Sequence, residues 1–283
     1  MKSGKKGKAK NSGRLWTIIL IAVALVGVAF LTYPAVSNWR NERVQSRAVA
    51  VYDEAVAGLD EADYSAYLEA AQAYNEKLAE IGSASLIGNS ELVDEEYWDL
   101  LDITGTGVMG YITIDRINVQ LPIYHGTDAN VLAAGAGHLE GTSLPTGGES
   151  THSVISAHRG LPGALLFTNL DKLEAGDTFT ISVLDQVLTY EVDQITIVEP
   201  NEIENLYIEE GRDYCTLMTC TPYGINTHRL LVRGVRIETV DNRIQVSAEA
   251  YRVNTLIVAA LIAVPLLVIL LIWLLAGTRR RKN

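Results

Sequence analysis

Two long uncharged apolar runs, one near each end of the 283-residue chain, decide where a folded domain can lie. The first covers Leu15 to Tyr33, with Trp16 near its start. The second covers Thr255 to Ala276 and is interrupted only by Pro265. Each reaches the roughly 20 residues that cross about 30 Å of hydrocarbon, and neither holds a charge, which would cost about 3 kcal/mol at a helix centre. Lys2, Lys5, Lys6, Lys8, Lys10 and Arg14 precede the first run, and Arg279, Arg280, Arg281 and Lys282 follow the second. Basic flanks stay cytoplasmic, so residues 1–14 and 277–283 read as cytoplasmic tails, and everything between the spans 15–33 and 255–276 is expected outside the cell. The first run also fits a signal peptide, with small residues at Ala35 and Ser37, although its apolar core exceeds the usual ~7–15 residues. Cleavage would leave the second span as the anchor, and both options stay open.

Charge narrows the class further. Ten of the 23 basic residues lie in the two tails, which leaves 13 against 34 acidic residues in the exported part, or −21. A nucleic-acid surface needs a basic footprint, so no nucleic-acid partner is expected. The two cysteines, Cys215 and Cys220, both fall in the exported part. They lie on one predicted strand, where an offset of five residues spans about 16 Å and puts the side chains on opposite faces. A disulfide needs Cα atoms within about 7 Å, so both thiols are expected free.

Between the spans the pattern changes twice. Residues 38–81 read as helical, with a break at Gly58. In the second helix Tyr64, Tyr67, Leu68, Ala71, Tyr74, Leu78 and Ile81 recur at three- and four-residue steps, the mark of one apolar face, and Gly82 follows as a C-cap. That face could rest on the next domain or on a membrane. Residues 82–107 form an irregular linker with a helical turn near Tyr97. From Val108 short runs rich in Val, Ile, Thr and Tyr appear at Met109–Ile114, Val119–Ile123, Ser153–Ala157, Thr178–Leu184, Val187–Val192, Gln194–Val198, Tyr214–Thr219 and Arg229–Ile237. Eight such strands over residues 108–240 indicate a mainly β domain, closed as a barrel or packed as a sandwich. Short helical pieces are expected at Ala129–Ala134, Ala164–Leu170 and Glu202–Leu206.

The chemistry concentrates at two strand ends. An apolar strand delivers Cys220 to its end, where Pro222 stops regular pairing. Cys215 sits in mid-strand on the other face and reads as a core residue. A thiol nucleophile needs a neighbouring cation to gain thiolate character. His158, followed by Arg159 and Gly160, occupies a comparable strand end, but His152 shares its face and the pattern does not choose between them. Attack on a carbonyl also calls for a donor to the developing oxyanion. Arg229, nine residues past Cys220 beyond a turn-rich linker, fits an antiparallel neighbour that returns beside the cysteine. There is no HExxH, CxxC pair, GxSxG elbow or phosphate-cradling glycine motif, so neither a metal nor another cofactor is expected.

The segment TLMTCTPYGINTHRLLVRG around Cys220 and Arg229 resembles the active-site segment of sortases, and SAHRGLP around His158 resembles their histidine segment. LPIYHGTD and GHLEGTSLPTGG, with the double anchor, resemble the class C, pilus-assembling branch. The resemblance implies an eight-stranded sortase-type β-barrel with short helices, preceded by N-terminal helices and flanked by two transmembrane helices. It implies His158, Cys220 and Arg229 as the catalytic trio, with Thr219 and Thr221 as supporting or substrate-binding neighbours. It further implies an LPXTG-like substrate on a pilin or surface protein, cleaved between Thr and Gly through a thioester and resolved by a pilin lysine.

One departure concerns the lid that class C enzymes carry over the site, anchored by an Asp-Pro-aromatic motif. Residues 82–107 contain no proline, and Tyr97, Trp98 and Asp99 are the candidate lid residues in its place. Two other readings stand beside the pilin polymeriser. One is an enzyme that attaches surface proteins to cell-wall peptide amines, and the other is a non-catalytic surface module.

Overall fold

The structure, a computed structural model, describes residues 12–82, 86–88 and 95–239. The chain divides at Trp39/Arg40. Helix α1 (Ser12–Ala57) runs 46 residues without the expected interruption after Tyr33, and Pro34 lies inside it. Proline is tolerated within membrane-type helices because neighbours and local adjustment satisfy the freed backbone groups. Within Ile18–Ala57 an 18-residue window has mean hydropathy 2.4 and none of it is buried. This is the one helix long and apolar enough to cross a membrane among the described residues. The second expected span, 255–276, lies outside them.

Beyond Arg40 the same helix belongs to the folded domain. Its Tyr52 is fully buried, and the hydroxyl donates to Met109 O at 3.0 Å while accepting from Leu184 N at 2.8 Å. The helix ends at the expected Gly58 break. Asp60 then caps helix α2 (Glu61–Ile81) by accepting from Ala62 N and Asp63 N at 3.0 and 2.9 Å, and Gly82 closes it at φ +84°. The apolar face of α2 packs on the domain core through Ala71, with Tyr64, Tyr67, Leu68 and Tyr74 against it, while Ile81 at its end stays exposed.

Strands β1 (Val108–Ile114), β2 (Val119–His125), β3 (Ala136–His138), β4 (Thr151–Ser156), β5 (Thr178–Val183), β6 (Gln186–Val198), β7 (Asp213–Thr221) and β8 (His228–Ile237) close a barrel in the order β1-β2-β3-β4-β7-β8-β6-β5. The β2/β3 and β4/β7 pairs are parallel and the others antiparallel. The predicted runs Val187–Val192 and Gln194–Val198 are one strand, bulged at Asp193 where the register shifts between Val192 and Gln194. Strand β3 is the addition. Its Gly137 is fixed by close approach, since a Cβ there would lie 2.2 Å from Gly126 O. Helix α3 (Ala129–Ala134) forms as expected. Residues 164–170 do not form a helix, because Leu166 adopts φ +41° and breaks the run into turns.

Strand alternation sorts side chains between two apolar clusters. The barrel interior holds Ile112, Ile155, Cys215, Leu217 and Val232, among others. A smaller cluster outside the barrel wall joins Leu139, Val154, Val198, Leu206 and Leu231, with Met218 and Ile87 packed against it.

Candidate active site

The site stands at the C-terminal ends of β4 and β7 and the start of β8. Strand β4 pairs parallel with β7 up to Ser156↔Met218. Two residues further on come Cys220, within β7 and on the outward parity of Met218, and His158, just past the end of β4. Cys220 lies directly across from Arg229 in the antiparallel β7/β8 register. Opposed residues of an antiparallel pair share a face with Cβ atoms about 5 Å apart. The three residues named from the sequence are thus gathered at one end of three neighbouring strands. All three are half-buried, and Arg229 Nη1 donates to His228 O at 3.2 Å.

The competing thiol and imidazole are sequestered. Cys215 is a fully buried free thiol inside the barrel, and desolvation pushes its pKa well above the ordinary thiol range, with the Asp213 charge adding to it. His152 is buried, its Nδ1–H donating to Tyr207 O at 2.9 Å and its Nε2 accepting from Thr216 Oγ1 at 2.7 Å. Burial is the first cause that pushes it down to about 4. With both ring nitrogens engaged and no exposed surface it cannot serve substrate, so geometry separates it from His158 where the sequence pattern did not.

The flanking threonines have different surroundings. Thr219 is buried and donates from Oγ1 to Ala157 O at 2.7 Å. Thr221 Oγ1 accepts from Arg159 Nη1 at 3.1 Å. Arg159 also meets Asp171, Nη2 to Oδ2 2.6 Å. Sequence reasoning passed over Arg159 and Asp171; a basic residue next to a candidate histidine is the one available signal, and nothing local says that it reaches across to β7. The loop after His158 is held by Asn41 of α1, whose Nδ2 donates to Gly163 O at 2.6 Å. Tyr223 lies over Gly160, where a Cβ would come within 3.0 Å of the ring. Tyr223, Ile225 and Leu165 give these two loops exposed apolar side chains.

The candidate lid residues are not brought to the thiol. Tyr97 is fully buried, accepting from Gly126 N at 3.1 Å and donating to His138 Nδ1 at 2.8 Å. Its ring lies edge-on to His125 with centroids 5.1 Å apart. It therefore plugs the barrel where β2 and β3 end. Because β3 runs antiparallel to β4, those ends point away from His158 and Cys220. Trp98 and Asp99 are exposed beside it. A buried hydroxyl needs partners, and His138 and Gly126 supply them, which is why this segment turns inward. Ile87, by contrast, packs on the outer cluster that includes the neighbourhood of Met218. Among the described residues no group of three or more His, Cys, Asp or Glu could hold a metal ion.

This arrangement has known counterparts. A sortase-domain family model matches residues 112–237. Sortase C1 from Streptococcus agalactiae superposes with a TM-score of 0.65 at 48% identity, covering 69% of this chain and 100% of that one. Sortase C from Streptococcus pneumoniae gives 0.61 at 48% identity over 68% and 97%. Sortase D from Bacillus subtilis is 30% identical over 131 residues, 45% of this chain and 63% of its own length, so the match spans under two thirds of that curated relative. The chain belongs to the sortase family of cysteine transpeptidases, and class C, pilus-related sortases are among its structural neighbours.

Proposed function

We propose that this protein is a pilin-polymerising class C transpeptidase, with Cys220 as nucleophile, His158 as acid and base, and Arg229 as the donor to the oxyanion. The observation that carries the reading is the register: Cys220 opposes Arg229, and His158 follows two residues after β4, the parallel neighbour of β7, ends at Ser156. The Cys220 sulfur attacks the Thr carbonyl carbon of an LPXTG-like signal. The Thr–Gly C–N bond breaks, the glycine amine leaves with a proton from His158, and a thioester remains. A lysine Nζ of a second pilin then attacks the thioester. Its C–S bond breaks, the thiolate is restored, and His158 takes the amine proton. Arg229 stabilises the negative oxygen in both steps, as preorganised donors do. The exposed Tyr223, Ile225 and Leu165 supply apolar surface for the Leu and Pro of the signal. The solved relative from Streptococcus pneumoniae is described in terms of pilin substrate specificity, which favours a pilin amine over a wall peptide. The basic N-terminal tail and the apolar start of α1 support a cytoplasmic N-terminus with the barrel outside the cell.

The test incubates the full-length protein in detergent with pilin subunits bearing an LPXTG-like signal. A ladder of covalent multimers, with a Thr–lysine isopeptide link found by mass spectrometry, is the expected result. Transfer to added wall-peptide amine with no ladder would favour the wall-anchoring enzyme instead.

A further inference from the structure

Two side-chain bonds bracket the His158–Cys220 pair, one before it and one after it. Before it, Thr219 Oγ1 donates to Ala157 O at 2.7 Å. After it, Arg159 Nη1 donates to Thr221 Oγ1 at 3.1 Å. Each joins a neighbour of the histidine to a neighbour of the cysteine. The parallel β4/β7 pairing ends at Ser156↔Met218. Past that point the hydrogen bonds between the two segments, among the described residues, are Ala157 N to Met218 O at 3.1 Å and these two side-chain ties.

Arg159 is unusual in its own right. Its side chain is only 10% exposed and anchored to Asp171 at 2.6 Å, and its buried Nε has no partner. An unpaired buried donor costs stability, so a gain in stability does not explain this guanidinium. Its fork does explain it: one arm fixes Thr221 and the other is fixed by Asp171, a geometry that a lysine, with its single point charge, cannot reproduce at both partners.

We infer that Arg159 is a positioning residue that sets the separation of His158 from Cys220, with Asp171 holding Arg159 in place. The inference rests on the transpeptidase reading above. Arg159 does not touch substrate; it acts through Thr221 and through its own place in the chain beside His158. A displacement of about 1 Å between reacting groups costs up to ~10²-fold in rate, so the tie should appear in the chemical step.

The experiment measures single-turnover thioester formation on the full-length protein in detergent, with an LPXTG-like peptide at a series of concentrations. Arg159→Gln is expected to lower the saturating rate roughly 10- to 100-fold with the half-saturating peptide concentration changed less than about twofold. Arg159→Lys should recover part of the rate. Adding Thr221→Val to Arg159→Gln should slow it no further, because both changes cut one tie. Asp171→Asn, which keeps the cation, should slow the saturating rate while leaving the thermal midpoint near that of the wild type, and it decides the matter should Arg159→Gln fail to fold. An unslowed Asp171→Asn, a loss confined to the half-saturating concentration, or multiplying losses in the double variant would overturn the inference. If the wild-type protein forms no thioester, the transpeptidase reading itself falls; if it does and the variants match it, only the role of Arg159 falls.

Discussion

A thiol reagent meets the two cysteines of β7 in different surroundings. Cys215 faces the barrel interior, fully buried and with its pKa raised by desolvation, while Cys220 is half-buried at the strand end. Peptide mapping after brief alkylation of the folded protein should find label on Cys220 and none on Cys215. Cys215→Ala should cost about 1 kcal/mol of stability, read from urea midpoints, with the transfer rate unchanged. The buried histidines give a pH signature. His138 and His152 are pushed down to about 4 from 6.5, burial being the first cause for both. The unfolded chain binds protons at these sites below ~6.5 while the folded chain does not until ~4, so stability falls as pH drops through that window. Urea midpoints at pH 7 and pH 4.5 should show the fall, and His152→Gln should make it shallower. At this scale the contrast of Cys215 with Cys220 was legible from strand parity alone. His158 and His152 share a parity, and burial, which only the tertiary fold creates, tells them apart.

At the scale of elements, period and punctuation carried most of the reading. The Gly58 break and the Gly82 cap bounded α2, and alternation located seven of the strands. Strand β3 escaped because three residues, Ala-Gly-His, hold no period. The β6 bulge looked like a gap between two strands because Asp193, which the β6/β8 register skips, interrupts the alternation. The parallel pairing of β4 with β7, whose ends lead to His158 and Cys220, is set by contacts some sixty residues apart that no local pattern records. Tyr97 is likewise placed by long-range partners, its ring against His125 and its hydroxyl on His138. Helix α1 is fastened to the barrel through Tyr52, whose hydroxyl satisfies both Met109 O and Leu184 N. Tyr52→Phe strands a buried N–H and should cost about 1–3 kcal/mol, measured by urea unfolding of the full-length protein.

For the whole molecule, the β domain read from the sequence matches the closed barrel, and one N-terminal helix among the described residues is long and apolar enough to cross a membrane. Outside the two terminal basic clusters the chain carries 13 basic against 34 acidic residues, an excess that repels polyanions. The barrel presents the half-buried Cys220 thiol at one end, where β4 and β7 finish and β8 begins. The proposed chemistry turns on an acyl thioester at Cys220, which intact-mass measurement of the full-length protein after incubation with an LPXTG-like peptide reads out. A single adduct is expected, with the mass of the acyl fragment ending at Thr, present in Cys215→Ala and lost in Cys220→Ala. An adduct that survives Cys220→Ala, or no adduct on the wild-type protein with any of several sorting-signal peptides, would contradict it.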